Sequence, residues 1–121
     1  MDNDTALIVA TAHDYFEGWF DGDVSRMERA LHPDLVKRSA GQNQASRLSF
    51  NTAEQMITWT GEGEGVQVAS GLADRTIEVV VLDVKHDIAS ALVRSEPYHE
   101  YIHLVRTGDG WKIANALWCA P

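Results

Sequence analysis

Along the first twenty positions, apolar residues recur every three or four places. Ile8, Ala12, Tyr15, Phe16 and Trp19 form one stripe, the spacing of an amphipathic helix. Asp4 or Thr5 can cap that helix, which runs to about Phe20, with Gly18 and Gly22 at its end and just beyond. Asp23 can cap a second, short helix that turns Val24, Met27, Ala30 and Leu31 inward. His32-Pro33 stops it, because a residue before proline is pushed out of the helical region. Residues 35–39 predict a strand, and a polar loop follows from Gly41 to Ser46. Asn51-x-x-Glu54 is a capping-box-like start for a third helix, with Ala53, Met56, Ile57 and Thr60 inward and Trp59 nearby. Gly61-Glu62-Gly63-Glu64-Gly65 then predicts a flexible loop. It is not a nucleotide-binding fingerprint, since no strand precedes it in a βαβ unit and the glycine spacing is wrong.

The pattern changes after residue 75. Residues 76–84 are rich in β-branched side chains, and Lys85-His86-Asp87 is a turn. Residues 88–96 predict a strand that ends at Pro97, and residues 98–107 another. Gly108-Asp109-Gly110 makes a hairpin turn into a last strand at 111–118. Helices first and an antiparallel run afterwards predict an α+β domain, with helices on one face of a curved sheet.

Composition narrows the function. The 121 residues predict one domain spanning 1–121. A net charge of −8 argues against nucleic acid, where Lys and Arg must neutralise phosphates. Lys37-Arg38 is the one adjacent basic pair and reads as a solvated strand end rather than an anion site. No apolar run approaches the roughly 20 residues that span a bilayer, and the acidic start at residues 1–5 lacks the basic region of a signal peptide. Cys119 is the sole cysteine, so no internal disulfide forms and a cytoplasmic setting fits. With no partner nearby in sequence, it does not read as a nucleophile.

The most chemically specific string is His99-Glu100-Tyr101-Ile102-His103. On a helix, H-E-x-x-H would hold zinc between two histidines with a glutamate base, as in a metalloprotease. The ten residues between Pro97 and the glycine turn are too few and too β-prone for that helix. In a strand the histidines stand roughly 13 Å apart, too far for one metal, and Glu100 points to the opposite face. A zinc metalloprotease is therefore rejected, and neither metal nor cofactor is expected.

Other segments carry a resemblance. Tyr15-Phe16-Glu17-Gly18-Trp19, Gly22-Asp23 and Ala30-Leu31-His32-Pro33-Asp34, together with Tyr101-Ile102-His103-Leu104-Val105 and Gly110-Trp111-Lys112-Ile113-Ala114-Asn115, resemble the opening and closing motifs of the nuclear-transport-factor-2-like superfamily. The resemblance runs in order over nearly the whole chain and lies nearest the SnoaL-like and "putative lumazine-binding" branch. It implies a cone-shaped, cystatin-like fold, with three N-terminal helices packed in a curved antiparallel sheet and a pocket at the wide end. It also implies a homodimer, often formed through the outer sheet face. Members of the superfamily isomerise, dehydrate, cyclise or hydrolyse small apolar molecules.

In such a cone, Tyr15 and Trp19 come from the first helix and Trp59 from the third. The face of the last hairpin depends on its turn. A three-residue loop at Gly108-Asp109-Gly110 pairs Thr107 with Trp111, and Tyr101, His103 and Val105 then share a face with Leu117, Asn115 and Ile113. A two-residue loop shifts the partners by one. The first arrangement is favoured because it gathers His103 and Asn115 among apolar neighbours. In an enzyme His103 would move a proton, Tyr15 would orient or polarise a carbonyl or hydroxyl, and Trp19, Trp59, Tyr101 and Asn115 would bind substrate. The aspartate base and tyrosine–aspartic acid pair of ketosteroid isomerases have no counterpart here, because the first strand offers Lys37, Arg38 and Ser39. His32 and Asp34 read as a structural corner, and His13 and His86 as surface. The expectation is a domain that binds a small apolar molecule. An acid–base enzyme of the SnoaL-like kind is the alternative.

Overall fold

The helical stripe of the first segment is buried as its spacing requires. In the computed structural model, which describes residues 3–41 and 48–121, helix α1 (Asn3–Asp21) buries Ile8, Ala12, Tyr15, Phe16 and Phe20. Asp23 caps α2 (Val24–Ala30) by accepting the backbone N–H of Arg26. Asp14, a quarter-turn from Tyr15, does not face water freely. It clamps α1 to α2 through Arg26 at 3.0 Å and Arg29 at 2.9 Å. The Arg29 guanidinium, with Arg26 beside it, holds the Asp14 carboxyl below the usual carboxylate range.

Strand β1 (Leu31–Ser39) starts at once, so Leu31 is an extended cap residue rather than the last inward position of α2. Helix α3 (Ala53–Gly61) begins one residue later than the Asn51-x-x-Glu54 spacing suggests. Thr52 and Gln55 form the reciprocal capping box instead, because the Gln55 amide reaches back to the Thr52 N–H. The polar loop expected from Gly41 to Ser46 lies, beyond Gly41, outside the described residues.

The glycine-rich stretch corrects a second expectation. It is not a free loop but the start of helix α4 (Glu64–Ser70). Gly65 is buried against α1, where a Cβ would stand 2.0 Å from the Trp19 carbonyl oxygen. Only glycine lets the two backbones come this close.

Strands β2 (Glu78–Lys85), β3 (Ile88–Arg94), β4 (His99–Thr107) and β5 (Gly110–Cys119) complete a five-stranded sheet in the order β1-β5-β4-β3-β2. The α+β class holds, with two refinements among the described residues. There are four helices rather than three, and β1 runs parallel to β5 while the other pairs are antiparallel. One face of the sheet meets the helices. The core there joins Ile8, Phe16 and Met27 to Val93, Ile102, Leu104 and Ile113. No helix among the described residues is long and apolar enough to cross a membrane.

Two details set which side chains look inward at the last hairpin. The turn is the two-residue Gly108-Asp109, pairing Thr107 with Gly110 and Arg106 with Trp111. A bulge then follows, since His103 faces Asn115 but Leu104 faces Ile113. The extra residue, Ala114, flips the alternation. Trp111 and Ile113 are inward before it, and Ala116 is inward after it. Ile113 therefore does not share a face with Asn115 and Leu117, as a regular hairpin would require.

The approach at Gly65 makes a direct prediction. Gly65→Ala forces the α1 and α4 backbones apart and costs about 1–3 kcal/mol, the range of core overpacking. Urea unfolding of the variant beside wild type measures it, and an unchanged midpoint would show that the helices do not meet there.

Candidate functional site

The alternation of β4 decides what each residue of the His99–His103 string does. Glu100, Ile102 and Leu104 point into the core, while Tyr101 and His103 stand on the opposite, exposed face. Glu100 is only 1% exposed. A carboxylate so far from water is costly unless it is paired and hydrogen-bonded.

Two neighbours meet that need. Tyr15, from α1, donates its hydroxyl to Glu100 Oε2 at 2.7 Å. Lys37, on the inward side of β1, brings Nζ to 3.7 Å from Glu100 Oε1 and into direct contact with Tyr15 Oη. The Lys37 side chain is 12% exposed. Its ammonium also lies over the Tyr15 and Trp118 rings, at 4.9 and 5.8 Å from their centroids, where the ring quadrupoles favour a cation. Burial, with the Glu100 charge beside it, pushes the Tyr15 hydroxyl well above the usual phenol range. Burial draws the Lys37 ammonium below the usual lysine range, and Glu100 opposes the shift.

These groups close one end of a cavity of about 190 Å³, walled by Trp19, Trp59, Tyr98 and Trp118, with Met56 and Glu64 also on its surface. The Trp19 indole N–H donates to Tyr98 Oη at 2.9 Å, which fixes two of the walls. Tyr98 in turn stacks on Phe20 and meets Trp118 edge-on. The arrangement is an aromatic slot whose buried polar surface is a neutral-sum ion pair carrying a phenol, with Asn51 and Glu64 also on its lining. It can accept or donate hydrogen bonds to a ligand, and it can move a proton along Lys37–Tyr15–Glu100.

Of the residues expected at the site, Tyr15, Trp19 and Trp59 line this cavity. His103, Tyr101 and Asn115 do not, and their expected place is corrected. His103 faces Asn115 across β4 and β5 on the outer side, with their side-chain nitrogens 3.5 Å apart. Tyr101 is 49% exposed. The histidine therefore cannot act on a molecule beside Tyr15. Shallower outer-face hollows of about 370 and 430 Å³ carry His103 and Asn115 instead. The string is a strand, as its surroundings implied, and among the described residues no three His, Cys, Asp or Glu side chains gather as a metal site.

The residues passed over are Lys37, Glu100, Tyr98 and Trp118. Period-two alternation groups Glu100 with Ile102 and Leu104, apart from both histidines, but the sequence reading favours the histidine face as the inner one and so misses the burial of Glu100. The inward turn of Trp118 had no signal, because it depends on the bulge at Ala114.

A family model described as "Putative lumazine-binding" matches residues 3–119. The chain belongs to this family. Its fold is that of the nuclear-transport-factor-2-like superfamily, shared with solved structures of low sequence identity. One is a protein of unknown function from Silicibacter pomeroyi, 16% identical with a TM-score of 0.75 over 97% of this chain and 95% of that one. A second, from Cytophaga hutchinsonii, is 15% identical with a TM-score of 0.72 over the whole of both chains. A third, a ketosteroid isomerase-like protein from Erwinia carotovora atroseptica, is 16% identical with a TM-score of 0.66 over 99% of this chain and 98% of that one. At such identities the likeness concerns fold alone. No curated protein matches the chain.

The pairing at the cavity end is testable in this family member without any ligand. Lys37→Met strands the Glu100 carboxylate in the interior and costs about 3–5 kcal/mol, the loss seen when one partner of a buried pair is removed. In the double variant Lys37→Met/Glu100→Gln the charge is gone and an acceptor for Tyr15 remains, so most of that stability returns. Denaturant unfolding of both variants checks this. Equal losses in the two would show that the charge of Glu100 does not govern the site.

Proposed function

We propose that this domain binds a small, largely apolar molecule in the cavity between α1, α3 and the inner sheet face, oriented by Tyr15, Lys37 and Glu100. The single observation that carries the reading is the junction of an aromatic-walled cavity with a buried, mutually compensated polar cluster, the combination typical of small-ligand sites. At about 190 Å³ the space suits one ring with a short substituent. An apolar cavity of about 150 Å³ holds benzene. The pair of opposite charges leaves no net cation to attract an anionic ligand, and Glu64 adds a negative charge. A neutral ligand fits best. Cys119 is free and exposed, which suits the reducing cytoplasm.

A second reading, an enzyme doing acid–base chemistry on such a molecule, is supported by the buried Tyr15–Glu100 hydrogen bond and the lysine in contact with it. In that reading Tyr15 touches the substrate and the Lys37–Glu100 pair carries the proton, taking the part expected of His103.

The partner on the protein side is a second copy of the chain. Ile88, Tyr101 and Leu117 lie on strands of the sheet away from the helical core and are each more than two-fifths exposed, and the Tyr101↔Leu117 pair sets two of them side by side. The pairing of two such faces would remove them from water.

Both parts have measurements. Titration of ¹⁵N-labelled protein with phenol and benzyl alcohol is expected to give saturable shifts at the indole N–H groups of Trp19, Trp59 and Trp118. Shifts confined to Tyr101, His103 and Asn115 would move the site to the outer face and end this reading. Sedimentation velocity is expected to give a dimer for wild type and a monomer for Tyr101→Glu/Leu117→Glu. A monomeric wild type would remove the proposed partner.

A further inference from the structure

Resting on that pocket reading, we infer that Lys37 is a covalent anchor: its amine condenses with an aldehyde or ketone that enters the aromatic-walled cavity, forming an iminium paired with Glu100.

Three features lead there. The first is access. Lys37 lines the cavity, and its side chain is nearly shut off from solvent. Lysines act as imine-forming nucleophiles when desolvated in apolar surroundings, and burial acts on Lys37 in that sense. The other lysines differ. Lys112 donates to the Arg29 carbonyl at 2.6 Å, and Lys85 is exposed at the end of β2.

The second feature is a proton path of the right length. Tyr15 Oη touches Nζ and donates to Glu100 at 2.7 Å. In the first step the Lys37 ammonium passes one proton to Glu100. The freed nitrogen lone pair attacks the carbonyl carbon and the N–C bond forms. The carbonyl π pair moves to oxygen, which takes a proton from that nitrogen and leaves a neutral carbinolamine. Tyr15 then hands its proton to the carbinolamine hydroxyl and takes the one held on Glu100. Water leaves while the nitrogen lone pair closes the C=N bond. The sum is ammonium plus carbonyl giving iminium plus water, with no oxidant or reductant.

The third feature selects the electrophile. Glu100 is buried and needs a positive partner. An acyl donor would turn Lys37 into a neutral amide and strand the carboxylate. A carbonyl compound leaves an iminium, so the cavity keeps its charge balance before and after reaction. One ring bearing an aldehyde is also the size that the cavity takes.

The test uses the whole chain, benzaldehyde and sodium cyanoborohydride, with the reduced adduct located by peptide mass mapping. The expected result is one benzyl group on Lys37, appearing roughly a hundredfold faster than on Lys85 or Lys112, the lower range of a positioned acid–base pair. Benzyl alcohol, which has no carbonyl, should protect Lys37 and leave Lys85 unprotected. Lys85→Arg/Lys112→Arg should label as wild type does, which keeps the test independent of the folding of Lys37→Met. If benzyl alcohol shifts the cavity tryptophans but Lys37 labels no faster than the other lysines, the anchor is overturned and the pocket stands. If neither compound binds and labelling is uniform, both fall.

Discussion

A carboxylate taken out of water must find a counter-charge and a hydrogen-bond donor, and Glu100 imposes that demand at the centre of this molecule. It is met from two separate elements. Tyr15 reaches it from α1 and Lys37 from β1, the strand at the far edge of the sheet beyond β5. Helix, central strand and edge strand are thus held to one another through three side chains. The same three side chains form the polar end of the cavity, so what holds the fold together there is also what a ligand would meet.

The pocket depends equally on an irregularity in β5. A regular hairpin continuing from Trp111 and Ile113 would send Asn115 and Leu117 inward and Trp118 outward. The bulge at Ala114 reverses this. It places Trp118 on the cavity wall, in contact with Tyr98 and under the Lys37 ammonium. It also leaves Asn115 beside His103 on the outer face. One inserted residue therefore separates the aromatic slot from the histidine-bearing surface.

The fold is shared by proteins with little sequence in common, and such a scaffold does not fix its chemistry. In this chain the cavity is lined by a compensated lysine–glutamate pair together with Trp19, Trp59 and Trp118. The Trp19–Tyr98 and Tyr98–Trp118 contacts tie three of the aromatic walls to one another.

Much of the architecture was legible in the chain itself, because it follows from local spacing. The stripe of Ile8, Ala12, Tyr15, Phe16 and Trp19 required a helix. The Asp23 cap and the β-branched runs after residue 75 required the short helix and the strands. The residues flanking His99–His103 required a strand and so excluded the zinc reading. Period-two alternation even set Glu100 apart from both histidines. The choice of which side of the sheet would be the inside was not local. It was made by the bulge at Ala114, by the parallel pairing of β1 with β5 and by the close approach of Gly65 to α1, all of which depend on residues far apart in the chain. Lys37 reads as a solvated strand end in sequence because nothing beside it needs a cation. The residue that does need one, Glu100, is brought to it only when the sheet is assembled.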